Sequence, residues 1–453
     1  MGPKERSPAA TDRNAAALGD FLEHMAGSSL LPDEVAEAAR LCLCDWAAVS
    51  VGARDEPAGR IVRETVAELA APGQAHVMFG TPTAPAPAAL SNGTLAHCLD
   101  FDDTYIRAAT HTSAPVWAAT LALGEHVGAD ERAMLRAFVA GFEVASRVGS
   151  GLGQAVTARG LHATGIFGRM GAAGAGAVIL GLGRNRAIHA LALAATQSSG
   201  LTASFGTMAK PFHAGKAAMD GVLAAQMAAK GFEGAPAVLE AGGGLDRAYI
   251  QDASRQLGRI GFDGWEILRN SFKPYAACHL THPALDAARA LDIDAESVSE
   301  VLARVGELAR QVTGGTNGRP ETALAAKFDL RYCTALALCG RRLDATDFEE
   351  PWRLDPEVAA LSEKVAVVAD PEMGFASAVL EVTTAARRTH RRAVPVAKGH
   401  PGNPIGWEEM REKFEGLVPV RLGDHSEPLF DALRGFGTGS RTGGAAPLLS
   451  LVS

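Results

Sequence analysis

The stretch MGAAGAGAVILGL, residues 170–182, carries no charged side chain and is closed by Arg169 on one side and Arg184 on the other. With Gly183 it forms an uncharged run of 14 residues, short of the roughly 20 apolar residues that cross a bilayer. It therefore reads as a helix buried inside a soluble protein, and its glycines and alanines let neighbouring helices approach closely. Arg186–Gln197 and Lys216–Lys230 share its Ala, Leu, Val and Met character, which predicts a bundle with buried central helices. Further out, Val35, Ala39, Cys42, Trp46 and Val49 recur at spacings of four and three, one face of a helix over Asp33–Val51 entered through Pro32. Ser113-Ala114-Pro115 predicts another helix through Leu123, with Ser113 as its cap and Pro115 in its first turn.

The character changes after about Phe272. Ser297–Val305 and Val365–Val368 are β-prone, Val379, Glu381 and Thr383 alternate, and Arg387, Arg388, Arg391 and Arg392 fall where a hairpin turn and return strand belong. Helical patterns over Pro283–Leu291, Ala323–Leu338 and Glu408–Leu417 lie between these strands. The expected fold is mainly α with an α+β second domain. The expected boundaries are a helical domain over 15–270 completed by 404–436, an α+β lid domain over 271–403, and a flexible Gly/Ser/Thr-rich tail over 437–453.

Composition removes several classes of function. The 453 residues hold 43 Lys plus Arg against 51 Asp plus Glu, a formal charge of −8, so no basic blanket exists to hold a nucleic acid. Hydrophobic residues at 47% and charged residues at 21% fit a globular chain with a large core. Six scattered cysteines form no CxxC pair, which argues against a zinc ribbon or disulfide scaffold and for a reducing cytoplasm. Met1–Asn14 has neither the apolar run of a signal peptide nor a transit-peptide pattern. Gly181-Leu182-Gly183 lacks the third glycine of a dinucleotide fingerprint, and no GxSxG elbow occurs.

Ionisable side chains gather just ahead of predicted helix starts. Residues 92–112, NGTLAHCLDFDDTYIRAATHT, pack His97, Asp100, Asp102, Asp103, Thr104, Arg107 and His111 together. Carboxylates this close ionise together only where cations or hydrogen-bond donors share the site. Three more segments repeat the arrangement: His162 in GLHATGIFG (160–168), Lys210 in TMAKPFHAG (207–215), and Lys273, His279 and His282 in SFKPYAACHLTHP (271–283). Lys210 precedes Pro211, which predicts an extended backbone before a helix beginning at Lys216. Helix N-termini offer free amides and a positive dipole, an environment suited to carboxylate substrates.

Taken in order, NGTLAHCLDFDDT (92–104), HATGIFGRMGAAGAGAVILGL (162–182), KPFHAGKAAMDGVLAAQMAAKGFEG (210–234), KPYAACHLTH (273–282), KFDLRY (327–332) and GHPGNPIGWEEMREKF (399–414) make the chain resemble the MmgE/PrpD family. That family includes 2-methylcitrate dehydratase, cis-aconitate decarboxylase and iminodisuccinate epimerase. The resemblance implies a large all-helical domain, a smaller lid domain, a homodimer, and catalysis without metal or organic cofactor. It implies catalytic roles for Asp100, Thr104, His111, Lys210 and His279 and substrate binding by Tyr332, to which the pre-helix loops add His162 and Lys273 as substrate-binding candidates. In the third loop both Cys278 and His279 fall near the family position. Phe142 stands where many members have tyrosine, and Asp329 and Arg331 replace a small polar residue and a proline of KFSLPY.

The chemistry expected is acid–base catalysis at a carbon beside a carboxylate of a small di- or tricarboxylic acid. Lys210 and helix N-termini would hold carboxylates, His111 or Lys210 would move the proton, and Asp100 would orient His111. Dehydration or decarboxylation leads, and an epimerase of an iminodisuccinate-like acid is the alternative. A metal-dependent hydrolase built on His97, Asp100, Asp102, Asp103 and His111, or a non-catalytic carboxylate binder, completes the set.

Overall fold

The helix that contains residues 170–179 spans Ala163–Ile179, and its side chains from Ala163 to Val178 are all buried. Such burial around the full circumference makes it a central helix. The computed structural model describes residues 12–439 and 452, apart from 29, 70, 241–242, 251–256, 316 and 350–354. The expected flexible tail lies outside the described residues from 440 onward, except for Val452. The chain divides into two compact units, one of Met1–Cys98, Asp102–Asn270 and Val418–Ser453, the other of Leu99–Phe101 and Ser271–Leu417.

The first unit runs α1 (Arg13–Gly27), α2 (Asp33–Gly52), α3 (Pro57–Glu68), α4 (Pro85–Leu95), α5 (Ser113–Val127), α6 (Glu131–Ala158), α7 (Ala163–Ile179), α8 (Arg184–Ala195) and α9 (Ala209–Ala229). Helix α7 packs against α5, α6, α8 and α9. Small residues set these approaches, as the sequence predicts. A methyl group on Gly171 would sit 2.8 Å from the Gly141 carbonyl oxygen of α6, and one on Gly141 would run into the Gly171 carbonyl. Phe142 of α6 is fully buried with its ring 5.9 Å from Tyr105 and 6.0 Å from Phe138.

Three local expectations are corrected. Helix α9 starts at Ala209 rather than Lys216, so Lys210 and Pro211 lie in its first turn. Proline fits there because the first amides of a helix have no intrahelical acceptor to lose. Ser113 is the first residue of α5, not its cap, and its hydroxyl bonds to the Asp103 carboxylate. The predicted helix over Ala323–Leu338 is two helices, Ala323–Lys327 and Leu330–Leu338, divided at Phe328 and Asp329. Asp329 caps the second by accepting from the amides of Arg331 and Tyr332. That cap is the physical reason for the aspartate in KFDLRY.

The second unit contains a four-stranded sheet in the order β2-β1-β3-β4, from β1 (Val298–Val305), β2 (Val365–Ala369), β3 (Ala378–Thr384) and β4 (Thr389–Val394). The β1–β2 pair is parallel and the other two are antiparallel. Leu280, Ala284, Val305, Ala309, Leu330 and Ala378 form a core between the sheet and its helices. The arginine-rich β4 is an exposed edge, where positive charge discourages pairing with other strands. The helix Trp407–Leu417 belongs to this unit, and the chain rejoins the first at Val418. The expected fold class therefore holds, a helical first part and a small mixed sheet in the second. Among the described residues no helix is long and apolar enough to cross a membrane.

Candidate active site

Three helix N-termini of the first unit bring their ionisable residues together. His111 stands two residues before α5, and its amide donates to Thr164 Oγ1 in the first turn of α7 at 3.0 Å. His162 is the residue capping α7, and its Nδ1 lies 3.0 Å from Nδ1 of His213 on α9. The turn after α4 supplies His97, whose ring is 4.5 Å from His111 and 5.9 Å from His162. Lys210 is buried in the first turn of α9, with its Nζ 5.5 Å from the Phe205 ring. The link between these pieces is Asp102. His97 Nδ1 meets it at 2.8 Å, and His111 Nδ1 stands 3.3 Å from the same carboxylate oxygen. Within this unit the carboxylate beside His111 is Asp102; Asp100 is part of the second unit.

Burial and charge push these groups apart in protonation. Burial raises the Asp102 carboxyl, but the His111 and His97 imidazoles outweigh it and hold the group well below its ordinary range. Asp102 is a fixed negative charge. His97 moves the other way, lowered to about 4 by burial, with Lys210 and His111 adding to the effect. It is neutral at pH 7 and donates Nδ1–H to Asp102, which leaves Nε2 buried with no partner among the described residues. Burial likewise drives His162 well below its usual value. Asp103, next in the chain, is raised to about 7 by burial and the neighbouring Asp45. It is a structural tie: it accepts from Asn270 Nδ2 at 2.5 Å and from Ser113, and its amide donates to Asp45 at 2.9 Å. The crowding of aspartates is resolved by giving one two imidazoles and another a set of neutral donors.

A pH dependence of stability follows. His97 binds its proton near pH 6.5 when unfolded and about 4 when folded. The unfolded chain therefore holds more protons between these values, and stability present above pH 6.5 is lost as pH falls toward 4. For one such group the loss is on the order of 3 kcal/mol. Urea unfolding of wild type and His97→Gln across this range should give a steeper fall for the wild type. Parallel curves would contradict the assignment.

Thr104 is buried, and its Oγ1 has no partner among the described residues. His97 and Asp102 enter the sequence reading only as donors of the alternative metal site, and His213 does not enter it. Asp102 could have been found five residues after His97, and His213 three residues after Lys210 on one helix face. His97, Asp102 and His111 each offer a ligand atom within 4.8 Å of the others, a donor set that could hold a divalent transition metal.

In the second unit Lys273 is buried, and its Nζ donates to the Asp100 carbonyl at 2.5 Å and stands 3.4 Å from the Asp100 carboxylate. His279 is buried with its ring 4.7 Å from His282 and 5.7 Å from Phe375. Cys278, one residue before, is half-buried. The hydroxyl of Tyr332, in a fully buried side chain, donates to the Asp347 carbonyl at 3.1 Å.

The pattern of a helical unit with clustered histidines and lysine, followed by a small mixed sheet, defines a class. The MmgE/PrpD N-terminal domain profile matches residues 16–257, and the MmgE/PrpD C-terminal domain profile matches 275–430. The chain belongs to the MmgE/PrpD family and is an enzyme of its lyase class. It is 26% identical over 362 residues to a cis-aconitate decarboxylase of Mus musculus, covering 75% of this chain and 72% of that one. A cis-aconitate decarboxylase of Aspergillus terreus is 27% identical over 371 residues, 74% of each chain. A cis-aconitate decarboxylase-like protein, oryM, of Aspergillus oryzae is 26% identical over 425 residues, 86% of this chain and 87% of the other.

Proposed function

We propose that this protein is a cofactor-independent lyase that decarboxylates or dehydrates a small unsaturated or hydroxylated di- or tricarboxylic acid, with cis-aconitate as the leading substrate. The observation that carries the reading is the buried His97–Asp102–His111 array beside Lys210. An ionised Asp102 fixes the orientation of His111, so that one imidazole presents a proton in a single direction. Lys210 supplies the cation that holds a substrate carboxylate and stabilises charge developing on it. In decarboxylation the bond to one carboxylate breaks and carbon dioxide leaves. The electron pair moves through the double bond toward a second carboxylate, and His111 gives a proton to carbon.

Asp100, Thr104, Lys273, His279, His162 and Tyr332 enter through the motifs that carry the resemblance. A cytoplasmic homodimer is part of the same proposal: the resemblance supports both, and six cysteines outside any disulfide support the compartment. An epimerase of an iminodisuccinate-like acid uses the same proton donor and is the second reading. A metal-assisted reaction draws its support from the His97, Asp102 and His111 donors.

The test is purified protein, assayed with and without chelator, on cis-aconitate, citrate, 2-methylcitrate and iminodisuccinate. Loss of carbon dioxide or water, insensitive to chelator, is the expected result. Racemisation alone favours the epimerase, a chelator-dependent activity favours the metal, and inactivity on all four overturns the lyase reading.

A further inference from the structure

Three buried lysines of the second unit, far apart in sequence, donate to three consecutive backbone carbonyls. Lys327 Nζ reaches the carbonyl of Leu99 at 2.7 Å, Lys273 Nζ that of Asp100 at 2.5 Å, and Lys413 Nζ that of Phe101 at 2.6 Å. Each lysine comes from a different element: the loop after Asn270, the end of the helix Ala323–Lys327, and the helix Trp407–Leu417. Lys413 also stands 4.0 Å from the centre of the Phe101 ring, a cation–π contact.

Lysines are seldom buried without a purpose that repays their desolvation. Here all three meet carbonyls of one tripeptide, Lys273 standing 3.4 Å from the Asp100 carboxylate as well, and the tripeptide is unusual. Asp100 sits in the left-handed region at φ 52°, where side chains other than glycine rarely settle. A chain in that conformation turns successive carbonyls out of any helix or strand ladder, and each needs its own donor. Charge-assisted bonds from three directions supply them. The tripeptide is followed directly by Asp102, Asp103 and Thr104.

We infer that Lys327 and Lys413 are positioning residues which, with Lys273, clamp Leu99–Phe101 and so fix the orientation of the Asp100 carboxylate. The inference rests on the proposed participation of Asp100 in the reaction. Neither Lys327 nor Lys413 acts on substrate; they act through Asp100. A displacement of about 1 Å in such a group is enough to cost on the order of 10²-fold in rate.

Lys327→Met and Lys413→Met each keep an unbranched side chain, one atom shorter, and remove its charge. Lys413 borders a surface cavity of about 300 Å³ lined also by Phe101, Tyr275, Lys398 and Glu409. Water can take the place of its ammonium there, so Lys413→Met is the variant expected to keep its fold. On cis-aconitate each variant should lose about 10–100-fold in kcat with KM within about threefold, and Lys413→Arg should recover most of the loss. In an Asp100→Asn background the lysine substitutions should add no further loss, since their effect runs through that carboxylate. A merely structural role would multiply the two losses, and that result, or wild-type kcat in both variants, overturns the inference. If the wild type itself turns over none of the four acids, the functional reading fails separately. Hydrogen exchange of a peptide spanning residues 97–104 then decides: exchange at least about tenfold faster in Lys413→Met supports the clamp, and unchanged exchange overturns it.

Discussion

Replacing His111 by glutamine should lower kcat on cis-aconitate by about 10³-fold, within the range that general acid–base groups supply. Glutamine keeps a donor toward Asp102, 3.3 Å from His111 Nδ1, but cannot release a proton near neutral pH. The His111 amide bond to Thr164 Oγ1 is a backbone contact and survives the change, so the fold at the start of α5 is preserved. Circular dichroism and thermal unfolding should match the wild type closely. Retention of more than about a tenth of wild-type kcat would remove His111 as the proton donor.

Lys210→Met has the second largest expected effect, a loss of about 10²–10³-fold in kcat/KM from removing the cation that meets the substrate carboxylate. It carries an independent signature. The Lys210 charge lowers the titration of His97, His162 and His213, so its removal should shift all three upward, His97 from about 4. Imidazole NMR titrations would show this whether or not the variant turns over. Unshifted histidines would mean that the ammonium of Lys210 does not act on the cluster.

What could be read in the chain beforehand follows from the range of the forces involved. The helix over Asp33–Gly52 and the strands Val298–Val305 and Ala378–Thr384 are written in local spacing, although the helix buries one face only in its first half and every residue from Cys42 to Gly52. Local punctuation misled in two places. Pro211 reads as a barrier before a helix but is part of its first turn, and Asp329 inside a helical pattern is a cap that splits it. At the site, crowding of His97, Asp100, Asp102 and His111 marked the region. Which carboxylate faces His111 depends on how the loop folds back, as the Tyr105 amide bonds to the Thr110 carbonyl at 2.8 Å. The lysine clamp was out of reach for a stronger reason. Lys327 and Lys413 meet carbonyls 228 and 312 positions earlier, and a carbonyl acceptor has no residue type to give it away.

The central claim is that this chain moves a proton at a carbon beside a carboxylate, and proton NMR of cis-aconitate with the purified protein in deuterium oxide tests it most directly. One carboxylate carbon should be lost, with new alkene signals of an itaconate-like product carrying deuterium from solvent at the protonated carbon. Spectra of cis-aconitate, citrate, 2-methylcitrate and iminodisuccinate that all stay unchanged, with no deuterium entering any carbon position, would contradict it.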